Sequence, residues 1–234
     1  NQTPVDLEVS IDKTPFPTSP ENHFFFILEL THRGVHIDSL APRFIGEFPK
    51  GVDYRGDIKA FRTHFYQHML IAKDYEDYKI SIHSGSDKFS VFPHMGELVE
   101  GRLHLKTSGT SWLEAMRLVA LIDASLYREM HQYALSKIEE ATTHYHVTTA
   151  LSQIPKLEDL SDQDLPSLLD QEEARQLLHI TYGFLLNAKT PQGENIFRER
   201  LYHHLTRYEE NYWSLLETHF EKHLISLGRK KWEV

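Results

Sequence analysis

The sequence predicts an α/β fold, TIM-barrel-like but partial: a half barrel of about four or five parallel strands with C-terminal helices. Three observations predict it. Short apolar runs alternate with segments of helical periodicity, the pattern of parallel strands joined by crossover helices. Polar clusters recur just after the first, second, third and fourth strands, as on the carboxyl rim of a barrel. The strands are too few for the eight of a closed barrel.

Each element has a local cause. Val5 to Asp12 alternates apolar and polar residues and reads as a strand with one wet face. Ser19, Pro20 and Glu21 give an N-cap, a proline at the first helical position and an acid in the first turn. That helix runs through Leu30, and Gly34 ends it. Val35 to Leu40 is the second strand, and Asp57 caps a helix to about Asp74. Tyr78 to His83 and Gly101 to Lys106 are the third and fourth strands. Thr110 or Ser111 caps one long helix past Leu135, and Tyr145 to Thr148 could add a fifth strand. Pro155 to Asp170 sets five acids against Lys156 and reads as a solvated connector. Two helices, about Glu172 to Asn187 and Glu194 to Leu227, follow. Residues 1–150 are thus expected to form the partial barrel and residues 151–234 a helical extension packed on it.

With 234 residues and 40% hydrophobic content the chain can bury a substantial core. A net charge of -9 argues against non-specific nucleic-acid binding. Cysteine is absent, so any metal would be held by His, Asp, Glu or water. No run approaches the roughly 20 apolar residues of a membrane helix, and no membrane partner is expected. No signal peptide is visible, and the early strand reads as a chain that starts inside a larger protein.

The most informative stretch is Tyr78 to Phe89, where an apolar run stops in His83-Ser84-Gly85-Ser86-Asp87-Lys88. An imidazole, two hydroxyls, a carboxylate and an ammonium at a strand end suit an oxygen-rich anion or a metal. Glu8 and Asp12 share a face of the first strand because even spacing keeps side chains on one side. Either is a candidate acid or base, or a solvated strand-edge acid. Asp12, Glu47 and His83 together would make an oxygen- and nitrogen-rich site for a divalent cation such as Zn, Mn, Fe, Ni or Mg. Arg43, Lys88 and Lys106 each follow or end a strand and could pair with a carboxylate or phosphate. Thr107 and Thr110 flank a turn whose amides could hold an anion, or simply cap the helix. His104 shares a face with Lys106 and reads either as a supporting partner of the site residues or as a packed core histidine, with packing favoured.

These runs resemble the tagaturonate epimerase family, also called tagaturonate/fructuronate epimerases. The resemblance rests on Glu8 to Asp12, Leu40 to Phe44 with Gly46-Glu47-Phe48, Ser81 to Phe89, and Lys106 to Ser111. It implies a TIM-barrel-like, divalent-metal-dependent, cytoplasmic enzyme of hexuronate catabolism that interconverts two keto-hexuronates differing at C4. Glu47 and His83 would match metal-ligand positions, and Asp12 or Glu8 a proton-transfer residue, with Asp12 preferred for its place at the strand end. The small anionic sugar acid would meet Arg43, Ser84, Ser86, Asp87, Lys88, Lys106, Thr107 and Thr110. Members of the family are about twice this length. A missing N-terminal half, or a homodimer across the exposed sheet edge, is therefore expected. The competing readings are another metal-dependent sugar isomerase or aldolase, and a non-catalytic fragment that only binds or assembles.

Overall fold

The computed structural model describes residues 5–99, 101–107, 109–143, 147 and 150–229. They form two compact units. The first takes the described residues within 1–48, 53–107 and 223–234, and the second those within 49–52 and 108–222.

The first unit holds β1 (Glu8–Ile11), α1 (Pro20–His32), β2 (Ser39–Pro42), α2 (Ile58–Asp74), β3 (Lys79–Ile82), α3 (Phe92–Leu98) and β4 (Leu103–Leu105). All strands are parallel, in the order β1-β2-β3-β4. Each new strand joins the same edge, as in a singly wound barrel rather than a doubly wound sheet. The register sets Val9, Leu40, Ile80 and Leu103 side by side. This apolar face packs with Ile27 of α1, Phe61, Phe65 and Met69 of α2, and Phe92 of α3. Side chains alternate across a strand, so the residues between them point the other way. The opposite face carries Glu8, Ser10, Ser39, Ala41, Ser81 and His104.

Capping chemistry sets the starts of α1 and α2 as the sequence predicts, whereas the cap expected at Thr110 or Ser111 is not made: Gly109 is the N-cap there, with no side-chain bond. Ser19 Oγ accepts from the Asn22 amide at 3.2 Å, and Asp57 Oδ1 accepts from Lys59 and Ala60 at 2.8 and 3.0 Å. The second strand differs from expectation by about four residues. The Val35 amide is spent on the Leu30 carbonyl, closing α1, and pairing with the first strand begins when the Asp38 amide reaches the Leu7 carbonyl.

The second unit is helical: α4 (Thr110–Ile122), α5 (Ala124–Ser136), α6 (Ile138–Thr142), α7 (Glu172–Ile180), α8 (Tyr182–Asn187), α9 (Arg198–Arg207) and α10 (Glu209–Ser226), whose last turn belongs to the first unit. Three expected long helices are each broken once. Asp123 leaves helical geometry at φ -144° and caps α5 by accepting from the Leu126 amide at 3.0 Å. Thr181 and Tyr208 interrupt the other two. The acidic connector is not simply solvated. Its Leu157, Leu165, Leu168 and Leu169 enter the core with Leu113, Met116, Tyr127 and Leu177. Arg117 and Arg128 donate to carbonyls of the same segment. Among the described residues there are four strands, and the Tyr145 to Thr148 expectation falls largely outside them.

Candidate active site on the polar face of the sheet

The site begins with strand register. Two residues beyond the row Ser10–Ala41–Ser81–His104 come Asp12, Arg43, His83 and Lys106, one at each strand end. Four side chains chosen from sequence thus fall on one tier, on the polar face.

His83 lies between two acids. Its Nε2 is 2.8 Å from Glu8 Oε1 and its Nδ1 is 3.0 Å from Asp12 Oδ2. Ionised carboxylates only accept, so with both acids charged both ring nitrogens carry hydrogen. The side chains are mostly shielded: His83 is 16% exposed, Glu8 24% and Asp12 15%.

Glu8 is bonded from every other strand. Ser39 of β2 donates to Oε2 at 3.1 Å, His83 follows β3, and His104 Nδ1 of β4 is 2.7 Å from Oε2. Ser81 of β3 also donates to it. Burial by itself raises the Glu8 pKa, but the bonds from Ser81, His83, His104 and Ser39 outweigh it and hold the acid at about 2. Asp12 is likewise lowered. Burial pushes it up, and the Ser10 hydroxyl with the charges of His83 and Lys13 brings it down. Three strand spacings separate β1 from β4, roughly 14 Å in a flat sheet. Perpendicular side chains of Glu8 and His104 would not meet across that span. The polar face is therefore concave, with the curvature of a barrel segment.

One feature departs from the favoured sequence reading. His104 does not pack in a core: its side chain is 48% exposed on the concave face. Its even spacing from Lys106 was the available signal. Glu47 is exposed in the loop after β2, exchanges backbone hydrogen bonds with Arg55, and is not among the partners of His83.

The anion-binding candidates divide by burial. Arg43 donates Nη1 to the Thr14 carbonyl, and Lys106 is exposed. Ser84 and Thr107 are half-buried. Ser86, Asp87 and Lys88 are buried, with Lys88 Nζ donating to the Ser86 carbonyl at 2.8 Å. The Asp87 amide donates to His223 Nε2 at 3.0 Å, and the rings of Phe89 and Phe92 flank that imidazole. Thr110 opens α4 in the second unit and is buried.

A second histidine group lies behind the sheet. His64 and His68 Nε2 face the Thr18 carbonyl at 2.9 and 3.1 Å, so both nitrogens donate. His68 Nδ1 then accepts from His23 Nδ1 at 2.7 Å, and His23 Nε2 accepts from the Tyr78 hydroxyl at 2.6 Å. The bonds close with every ring neutral. Burial agrees, holding His23 at about 4; burial and its two histidine neighbours hold His68 at about 3.

Comparison with known proteins follows the same lines. The family model for tagaturonate epimerase matches residues 1–227. The chain is 42% identical over 225 residues to the tagaturonate/fructuronate epimerase of Thermotoga maritima, covering 96% of this chain and 46% of that protein. It is 54% identical to the fructuronate-tagaturonate epimerase of Cohnella laeviribosi, in native and glycerol-complexed crystal structures, with a TM-score of 0.93. That match covers 97% of this chain and 46% of the other. The chain spans about half the length of the relatives it matches. With the strand-end tier and the family match over nearly its full length, the chain belongs to the tagaturonate epimerase family.

Proposed function

We propose that this chain is the catalytic portion of an isomerase that inverts C4 of a keto-hexuronate, interconverting tagaturonate and fructuronate. The observation that carries the reading is Glu8, bonded from all three other strands on a concave face beside Asp12 and His83. Family membership supplies the substrate class.

The chemistry follows from the substrate. C4 lies two carbons from the ketone, so that carbonyl does not acidify its hydrogen. Removing the C4 hydroxyl proton while the C3–C4 bond breaks gives an aldehyde and an enolate. Re-addition to the other aldehyde face inverts the centre. Asp12, Glu8 and His83 form a proton-holding array beside the reacting hydroxyls. Arg43 and Lys106, at the ends of β2 and β4, would hold the substrate carboxylate, with Ser84 and Thr107 supplying hydroxyls. A divalent cation suits this donor set. With Asp12 holding Nδ1 of His83, a cation would take Nε2 only by displacing its bond to Glu8 Oε1, giving the usual carboxylate–imidazole–metal order, and exposed Glu47 would add an oxygen. Bound there, it would polarise the ketone and stabilise the enolate.

A second reading rests on length: the piece alone is an inactive half that needs the remainder to complete the site. Tagaturonate is incubated with this chain and with a full-length protein containing it, and fructuronate is followed by NMR. Conversion by the full-length protein is expected. Turnover of sugar phosphates but not of keto-uronates would overturn the proposal.

A further inference from the structure

His104 carries an inference that rests on the epimerase reading and deepens it. Its Nδ1 is 2.7 Å from Glu8 Oε2, and Ser81 Oγ lies 3.2 Å from the same nitrogen. Glu8 Oε2 already accepts from the Ser39 hydroxyl at 3.1 Å and faces Nδ1 as an acceptor, so the hydrogen of the neutral ring sits on Nδ1. Nε2 then carries the lone pair. It has no hydrogen-bond partner among the described residues, and the side chain is half-exposed on the concave face shared with His83. The ring is thus fixed at one nitrogen by a carboxylate and open at the other, on β4, which ends at the next residue, with Lys106 just beyond it.

His83 differs, because both of its nitrogens already face acids. Among the residues that touch Glu8, His104 is the one imidazole with a nitrogen to spare. We propose that His104 is a catalytic residue whose Nε2 takes the proton of the substrate's C4 hydroxyl. The proton moves from oxygen to Nε2 and the O–H electron pair forms the aldehyde carbonyl. The C3–C4 pair passes to the enolate, and Glu8 balances the imidazolium charge. On re-addition the aldehyde oxygen recovers a proton from the ring, so the cycle consumes no co-reactant.

Two measurements test this. In the chain as described, nitrogen-15 NMR of the His104 ring should show hydrogen on Nδ1 and a bare Nε2; the opposite tautomer overturns the proposal. In the full-length enzyme, His104→Gly should lower kcat by about 10²–10⁴-fold, with KM and bound metal little changed. Added imidazole should restore part of the rate, which a purely structural role would not allow. His104→Gln, which preserves bulk, should be equally slow and not rescued. If wild type epimerises and His104→Gly matches it, or if the variant loses its metal, His104 is not the proton acceptor. If wild type fails to epimerise keto-uronates, the function proposed above is what fails, and the NMR result still stands or falls alone.

Discussion

Thr18 and Arg43 hold each other twice. The Thr18 amide donates to the Arg43 carbonyl at 2.8 Å, and the Arg43 amide donates to Thr18 Oγ1 at 3.0 Å. The Thr18 carbonyl in turn accepts from His64 and His68 of α2. A buried histidine group behind the sheet therefore fixes the residue that follows β2 on the rim. Thr18 is 6% exposed, so Thr18→Val keeps the shape and leaves the Arg43 amide without its acceptor. The expected loss of stability is about 1–3 kcal/mol, read from urea unfolding. If Arg43 grips the substrate carboxylate, the full-length variant should raise KM and leave kcat nearly unchanged.

The same histidines make the first unit acid-sensitive. His23 and His68 titrate near 6.5 when unfolded and at about 4 and about 3 in place. Between those values the unfolded chain binds protons that the folded chain refuses. Their contribution is intact above 6.5 and shrinks as pH falls toward 4 and then 3, with a slope of order 1.4 kcal/mol per pH unit for each ring. His131 of the second unit, lowered to about 4 by burial, acts in the same direction. Urea midpoints should fall steadily from pH 6.5 to 4.5, while the ring resonances of His23 and His68 stay in their neutral positions. Protonation of those rings in the folded protein at pH 5.5 would contradict the account.

Local signals made much of this legible. Strand ends were readable because an apolar run that stops in His-Ser-Gly or in Lys-Thr announces its own rim, and side-chain parity then puts Asp12, Arg43, His83 and Lys106 on one face. Ser19 and Asp57 announced α1 and α2 because a cap is a property of four adjacent residues. What escaped depends on distant residues. The choice between Glu8 and Asp12 has no sequence answer, since His83 takes both. The leucines of 157–169 hid among acids, and their burial depends on Arg117 and Arg128 satisfying the carbonyls around them. The breaks at Asp123, Thr181 and Tyr208 fall inside continuous apolar periodicity. The reach of His104 to Glu8 depends on sheet curvature, which no short window encodes.

Gly46 precedes Glu47 with φ +82°, and a Cβ there would lie 2.2 Å from Tyr54 Oη. That hydroxyl donates to the Ile45 carbonyl at 3.1 Å, and its ring meets Phe48 edge-on and Phe61 at a tilt. Gly46→Ala must both adopt a left-handed backbone and displace a 7%-exposed tyrosine. A loss of about 2–4 kcal/mol is expected, combining backbone strain with overpacking. If Glu47 helps to hold a cation, metal affinity of the full-length variant should drop with it; calorimetric titration with Mn²⁺ reads this directly.

Glu8→Gln tests the acid that joins the strands. Each of its partners, Ser39, Ser81, His83 and His104, presents a donor, and an amide has one accepting oxygen and an NH₂ group. Whichever way Gln turns, its NH₂ faces the ring nitrogen of His83 or of His104. Losing these charged bonds should cost about 1–3 kcal/mol at pH 6 and most of the epimerase activity. The wild-type advantage should also depend on pH in a definite direction. Glu8 titrates at 4.5 unfolded and at about 2 in place. Its contribution is full above 4.5 and declines as pH falls toward 2. The gap in urea midpoint between wild type and Glu8→Gln should therefore be widest near pH 6 and narrower at pH 3.5. A gap that widened on acidification would mean that Glu8 is protonated in the folded chain, and the tautomer assigned to His104 would fall with it.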